Sequence, residues 1–167
     1  EPKKNSSVNG LVLILHGLGG STRRKGLRRM ALSLVESGFV VLKLNLRGAD
    51  PCRHLIPGTY AAQCNSDMVP VLLLARDIAD SFQNRYFGKK SNVPVFGAGI
   101  SLGGTILLNV CFSSGFSAVS SKPPLDGLVC ISSPLNLSES SESIQRTRNF
   151  IYQRWLLKRL VRQTLAD

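Results

Sequence analysis

The sequence predicts an α/β fold in which helices cover a parallel β-sheet. Four short runs rich in leucine, valine and isoleucine have the length of buried strands, at residues 8–15, 39–44, 93–97 and 128–132. A predicted helix follows each run, at residues 22–37, 66–86, 104–112 and 144–166. Strands that alternate with helices pair in parallel through right-handed crossovers, so ligands are expected at the carboxyl ends of the strands.

Length and composition indicate one globular domain. The chain has 167 residues, of which 43% are hydrophobic, enough for a sizeable core. No apolar run approaches the roughly 20 residues that span a bilayer, and we expect no signal peptide at the start. The four cysteines form no C-x-x-C pair and favour free thiols in a reducing, cytoplasmic compartment. They are Cys52, Cys64, Cys111 and Cys130.

The first βα unit ends its strand in a glycine-rich turn. The run at residues 8–15 stops at His16-Gly17-Leu18-Gly19-Gly20, and the helix after it starts at about Thr22. One face of that helix is apolar, which predicts that it packs on the sheet. This face comprises Leu27, Met30, Ala31, Leu34 and Val35. Residues 45–62 have no periodicity and read as a loop.

A serine occupies the turn after the third strand. The apolar run at residues 93–97 leads into Gly99-Ile100-Ser101-Leu102-Gly103, and a helical run follows at once. Glycines permit a strained backbone and a close approach of strand and helix, which exposes the serine hydroxyl beside a helix N-terminus. The pattern predicts Ser101 as a nucleophile; the alternative is a glycine-rich turn with an incidental serine.

The end of the chain is predicted to form a loop, a hinge and an amphipathic helix. Residues 113–124 are rich in Ser, Gly and Pro, and the run SESSES at residues 138–143 reads as a hinge or loop. In the last helix leucines fill one half, whereas Lys158, Arg159 and Arg162 fall on the other half together with Trp155.

The net charge of +11, from 21 basic and 10 acidic residues, predicts an anionic surface or ligand. No nucleic-acid-binding motif is present, so no nucleic acid is expected. Five basic residues crowd the first turns of the first helix, where they oppose its dipole: Arg23, Arg24, Lys25, Arg28 and Arg29. With the last helix they suggest an anionic membrane surface as a partner. The alternative is a cap helix with a solvated basic face.

Four stretches carry a family resemblance: HGLGGS at residues 16–21, LNLRG at 44–48, GISLGG at 99–104 and IYQR at 151–154. They resemble the oxyanion turn, a second loop, the nucleophile elbow and the cap-helix start of the YheT-like (AB-hydrolase-4) branch of the α/β-hydrolases. The resemblance implies a partial three-layer αβα hydrolase core at residues 1–137, then a hinge and the start of a helical cap at 138–167. One departure is Tyr60-Ala61-Ala62-Gln63, where the branch usually has Tyr-His-Ser-Gly.

The resemblance also implies a chemistry: a serine hydrolase, of the carboxylesterase or lipase type, that cleaves acyl or lipid esters through an acyl-enzyme on Ser101. The backbone N–H groups of Leu18 and Leu102 are the expected oxyanion hole, and His16 supports the oxyanion turn. No cofactor and no metal are implied. We expect Arg47 to buttress the active-site loop through hydrogen bonds and Trp155 to serve in packing. The alternative for each residue is a contact with substrate.

A catalytic triad of this kind has the order Ser, acid, His, and no histidine follows Ser101. His54 lies in an upstream loop. The acids after the serine are Asp126, Glu139, Glu142 and Asp167, and Asp126 precedes its strand, at the wrong edge of the sheet. We interpret the chain as a central fragment, inactive alone, with acid and histidine downstream. The alternative is a non-catalytic interaction module or a truncated remnant. The fourth strand would then be an exposed edge prone to self-association.

Overall fold

The computed structural model describes residues 8–63, 65–88 and 92–165. Within them the strands are β1 (Gly10–Leu15), β2 (Phe39–Leu44), β3 (Val95–Ile100) and β4 (Gly127–Ile131). The α-helices are α1 (Lys25–Glu36), α2 (Asn65–Phe87), α3 (Leu102–Phe112), α4 (Ser114–Ser117), α5 (Leu137–Gln145) and α6 (Phe150–Leu165). Short 3₁₀ turns occupy Arg53–Leu55 and Thr147–Asn149. No helix in the described ranges is long and apolar enough to cross a membrane.

The four strands form one parallel sheet in the order β2-β1-β3-β4. The register brings the carboxyl ends together, because Leu15 lies opposite both Leu44 and Gly99, and Ile100 lies opposite Ile131. The predicted α/β fold with a parallel sheet is therefore confirmed. The segments that follow β1 and β3, where the site residues were expected, emerge at the same edge.

Side chains on the central strand alternate between two cores, which gives three layers. Leu11, Leu13 and Leu15 point to one core with residues from α2 and α3. Val12 and Ile14 point to the other, against α1. Every residue of β1 is buried, and burying one such aliphatic side chain contributes about 1.5–3 kcal/mol.

Two boundaries near the site differ from the sequence predictions. Helix α1 begins at Lys25 rather than Thr22, because the Arg24 N–H bonds to the Ser21 carbonyl and closes a turn before the helix. Arg23 and Arg24 therefore precede the helix. Strand β3 continues to Ile100 instead of ending at residue 97, since Gly99 and Ile100 keep their pairing with β4.

The largest correction concerns the segment after β4. The run at residues 138–143 is not a hinge or loop but part of helix α5, because the Asn136 side chain accepts the Glu139 N–H at 3.1 Å and caps it. The predicted helix from residue 144 is broken at Arg146, whose backbone is extended, and α6 starts at Phe150. A short helix, α4, also interrupts the loop expected at residues 113–124. The division into core and cap stays a prediction.

The cysteines Cys52, Cys111 and Cys130 are free thiols. Cys64 and the candidate acid Asp167 lie outside the described residues.

Candidate active site

Ser101 lies at a strained strand-to-helix turn between β3 and α3. Its backbone has φ 53° and ψ −126°, a conformation that costs a non-glycine residue about 1–3 kcal/mol. Neighbouring groups hold it there: the Ser101 N–H donates to the Ile131 carbonyl at 2.8 Å, and the Ser101 carbonyl accepts the Gly104 N–H at 2.9 Å. The side chain stands at the carboxyl edge of the sheet, as the elbow pattern predicts.

Glycines around Ser101 allow backbone segments to approach more closely than a Cβ would permit. A Cβ on Gly99 would collide with the backbone of Gly103 and Gly104, and one on Gly103 would lie 2.5 Å from the His16 carbonyl oxygen. A Cβ on Gly17 would lie 2.9 Å from the Ser101 Cβ. The turn after β1 and the serine turn are therefore in direct contact.

The two residues expected to form the oxyanion hole lie beside Ser101. Leu18, Leu102 and Ser101 line the same cavity. Leu102 is the first residue of α3, where the helix leaves its N–H groups without intrahelical acceptors. Within the described part of the chain, neither the Leu18 nor the Leu102 N–H donates a hydrogen bond. Both donors are thus available to an anion that forms at the serine.

His16 is fully buried and uses both ring nitrogens within the turn. Its Nδ1–H donates to the Gly17 carbonyl at 2.8 Å, and its Nε2 accepts the Leu46 N–H at 3.2 Å. Burial lowers the pKa of His16, the bond to Gly17 raises it in part, and the charge of Arg24 lowers it further. A neutral imidazole engaged on both sides fixes the turn and has no free nitrogen to accept a proton from Ser101.

Tyr60 is a site residue that the sequence analysis did not identify. Its hydroxyl accepts the Gly19 N–H at 2.8 Å and donates to the Gly17 carbonyl at 3.3 Å, while its ring meets the His16 ring edge-on at 5.6 Å. Burial raises the pKa of Tyr60, and the hydrogen bond from Gly19 partly offsets this. The phenol therefore clamps the oxyanion turn. An aromatic residue with a polar tip in a loop was the available signal.

A cavity of about 320 Å³ opens above Ser101. Helices α5 and α6 roof it, so the helix that was predicted as a hinge supplies part of its wall. Most lining side chains are apolar, and they include Leu137, Ile144, Tyr152, Leu156, Leu157 and Leu160. Such a wall suits a hydrocarbon chain better than a polar group.

Arg47 has the structural role that was expected of it. Its guanidinium makes a bidentate pair with Asp67 at 2.7 and 2.8 Å and also reaches the Pro57 carbonyl at 3.4 Å. The hydrogen bond from Arg47 lowers the pKa of Asp67, although burial partly opposes it. The pair ties the loop after β2 to the start of α2.

Among the described residues, the remaining candidate acids and bases do not line the cavity at Ser101. The Asp126 carboxylate accepts the Val95 N–H at 2.7 Å, at the amino end of β3, and pairs with Arg76 at 3.1 Å. Burial raises the pKa of Asp126, but these hydrogen bonds lower it overall. Glu139 and Glu142 are exposed on α5, and His54 is exposed in a 3₁₀ turn. No group of three or more metal-binding side chains comes together among the described residues.

The fold is that of the α/β-hydrolases. Three solved structures show the fold. Brefeldin A esterase, a bacterial homologue of human hormone sensitive lipase, has a TM-score of 0.54 and 19% identity over 77% of this chain and 33% of its own. A lipase in its open form has a TM-score of 0.52 and 20% identity over 83% of this chain and 43% of its own. A lid-less α/β serine hydrolase from Xanthomonas campestris has a TM-score of 0.50 and 18% identity over 100% of this chain and 87% of its own.

Among curated proteins, the chain is similar to phospholipase ABHD3, a member of the AB-hydrolase-4 family. Identity is 26% to the Homo sapiens and Bos taurus proteins and 27% to that of Mus musculus, each over 147 residues. The match covers 88% of this chain and 32% of each relative, so the chain spans about a third of their length. No protein-family model matches it.

Proposed function

We propose that Ser101 is the nucleophile of a hydrolase that cleaves carboxylic esters through an acyl-enzyme. One observation carries the proposal: Ser101 occupies a strained elbow at the mouth of an apolar cavity, together with Leu18 and Leu102, whose N–H groups have no other acceptor among the described residues. The lipases, esterases and phospholipases among the similar proteins support it.

In the proposed reaction, the Ser101 oxygen attacks the ester carbonyl carbon while a base takes the hydroxyl proton. The carbonyl oxygen becomes an oxyanion that accepts hydrogen bonds from Leu18 and Leu102, each worth about 3–4 kcal/mol in a well-built site. The alkoxide leaves with the proton returned by the base. Water, deprotonated by the same base, then releases the acid and restores Ser101.

The base is proposed to be a histidine outside these 167 residues, downstream with the triad acid. Both histidines of the sequence precede Ser101; His16 is engaged on both nitrogens, and His54 is an exposed loop residue. The greater length of the relatives supports this proposal. Residues 1–137 would then be core, and 138–167 the start of the cap. The competing function, a non-catalytic hydrolase-fold module, requires no such histidine.

The substrate is proposed to carry an acyl chain. Half of the ten residues that α5 and α6 contribute to the cavity are leucine or isoleucine, and none is charged, which favours the fatty part of a lipid ester over a charged substrate.

The test is turnover of p-nitrophenyl butyrate by the complete gene product. Ser101→Ala should lower kcat/KM by about 10⁴-fold or more, because the oxyanion donors alone retain little activity. Ser117→Ala, which changes an exposed serine at the end of α4, should leave the rate unchanged. A Ser101→Ala enzyme that retains turnover contradicts the nucleophile. Equal rates for the complete product and the 167-residue chain contradict an external base.

The same face is proposed to meet an anionic membrane surface. The start of α1 and helix α6, both basic, lie together, since the Arg24 guanidinium sits 5.6 Å from the centre of the Trp155 ring. Each basic residue near such a surface contributes about 1 kcal/mol. Co-sedimentation with anionic vesicles should weaken with salt and with the triple change of Arg23, Arg24 and Lys25 to Gln. Equal binding to neutral vesicles contradicts the proposal.

A further inference from the structure

Two guanidinium groups converge on one indole ring beside the oxyanion turn. The Cζ of Arg24 lies 5.6 Å from the centre of the Trp155 ring, and the Cζ of Arg159 lies 5.3 Å from it. Tyr152 stacks on Trp155 at 5.9 Å with an angle of 22° between the rings. Both cations therefore contact the same aromatic side chain.

Neither of these cations has a carboxylate partner among the described residues. The ion pairs there involve other arginines: Arg47 with Asp67, Arg53 and Arg162 with Asp50, and Arg76 with Asp126. Among the described residues the Arg24 guanidinium makes one hydrogen bond, to the Gly19 carbonyl at 3.2 Å. Partial burial lowers the pKa of Arg24, and the positive charge of Arg159 lowers it further. Two half-buried like charges repel, and an anion between them would remove that cost.

Arg24 and Arg159 both contact the turn that carries Leu18. A Cβ on Gly19 would lie 3.0 Å from the Arg159 Cβ and 3.7 Å from a methyl carbon of Leu156. The Gln163 side chain also reaches the Gly20 carbonyl at 3.4 Å. Helix α6 thus presents Leu156 to the cavity over Ser101 and Arg159 to the neighbouring surface. A group bound by the two arginines would sit close to an ester held at Ser101.

We propose that Arg24 and Arg159 form a binding site for a phosphate group, either free or as the phosphate ester of a lipid headgroup. A guanidinium donates paired hydrogen bonds to phosphate oxygens, and a tetrahedral phosphate has enough acceptors for two guanidinium groups at once. A carboxylate is satisfied by a single arginine, as Asp67 is by Arg47. The inference goes beyond ester hydrolysis, because phosphate binding requires no reaction at Ser101.

Trp155 is the one tryptophan of the sequence, so its fluorescence reports on the site directly. The 167-residue chain is titrated with inorganic phosphate at constant ionic strength, balanced with sodium chloride. We expect a saturable change in emission. Arg24→Gln and Arg159→Gln should each weaken the affinity at least about 10-fold, whereas Lys substitutions should weaken it less, because they keep the charge. Affinity rather than amplitude is compared, since removing an arginine alters the emission itself.

The matched controls are Arg23→Gln and Lys158→Gln, which remove exposed charges next to each site residue and should keep the parental affinity. Circular dichroism checks that every variant is folded. The same titration with dibutyrylphosphatidic acid separates the sources: tighter binding than inorganic phosphate indicates a lipid headgroup, and equal binding indicates free phosphate. No saturable change with either ligand, or equal losses in the controls, overturns the proposal. Loss of esterase activity in Ser101→Ala leaves this result unaffected.

Discussion

At the scale of single residues, the turn after β1 is held by two buried polar side chains. His16 bonds to Gly17 and Leu46, and Tyr60 bonds to Gly17 and Gly19. Each unpaired buried polar group would cost about 1–3 kcal/mol. The two side chains therefore specify one conformation for a turn whose glycines would otherwise leave it free.

The state of His16 is directly measurable. In His54→Gln, His16 is the one remaining imidazole, and a long-range ¹H–¹⁵N spectrum should place its proton on Nδ1. The ring should titrate below its ordinary value, because burial lowers its pKa. The unfolded chain binds a proton near its ordinary value of 6.5. The free energy of unfolding therefore falls as the pH drops below that value, by at most about 1.4 kcal/mol per pH unit from this residue. A proton on Nε2, or titration near 6.5, would contradict the assignment.

The site residues that the sequence could predict are those placed by local turn geometry. Ser101 was predicted from the glycine pattern after a strand, since the turn requires glycine locally, and Leu18 and Leu102 were expected from the family resemblance. Tyr60 could not be placed in the same way. It is more than 40 residues from Gly19 along the chain, and only the folded loop brings its hydroxyl to the turn.

At the scale of elements, close contact between the turn after β1 and helix α3 positions Ser101. Gly103→Ala should destabilise the protein by about 1–3 kcal/mol, because the added methyl meets the His16 carbonyl, which cannot move aside. The matched change Gly26→Ala, in α1, meets nothing within 4 Å and should stabilise by up to about 1 kcal/mol. Urea unfolding of both variants checks this. Equal effects of the two substitutions would show that the close packing at Gly103 contributes nothing.

Helix α5 forms where the composition of residues 138–143 predicted a hinge or loop. A serine- and glutamate-rich run has little intrinsic reason to be ordered. The cap from Asn136 and the contacts that Leu137 and Ile144 make as they line the cavity outweigh that tendency. Neither the cap nor these contacts can be read from a serine- and glutamate-rich composition. No proline or glycine marks the break at Arg146 between α5 and α6.

At the scale of the whole molecule, the sheet has two edges of different character. Edge strand β2 carries the exposed Lys43, whereas β4 has no charged residue, and Val129 and Ile131 there are 59% and 38% exposed. An uncharged apolar edge invites pairing with a second chain. The parallel order of the strands followed from their alternation with helices. Which two strands form the edges could be learned only from the strand order of the folded sheet.

Self-association through β4 follows as a prediction for the isolated chain. Sedimentation velocity should show a mass that grows with concentration, and Val129→Lys should reduce that growth. Val119→Lys, at a residue that is 58% exposed and lies outside the sheet, should behave like the parent. A parent chain that stays monomeric at high concentration would contradict the prediction, as would equal effects of the two lysines.

Covalent capture tests directly whether Ser101 is an activated nucleophile. The complete gene product is treated with an alkyl fluorophosphonate, digested and analysed by peptide mass spectrometry. We expect one adduct, on the peptide that contains Ser101, and none in Ser101→Ala. The isolated 167-residue chain should react far more slowly, since it holds no histidine placed to act as a base. An unmodified Ser101 in a preparation that hydrolyses p-nitrophenyl butyrate, or an adduct on another residue, would contradict the claim.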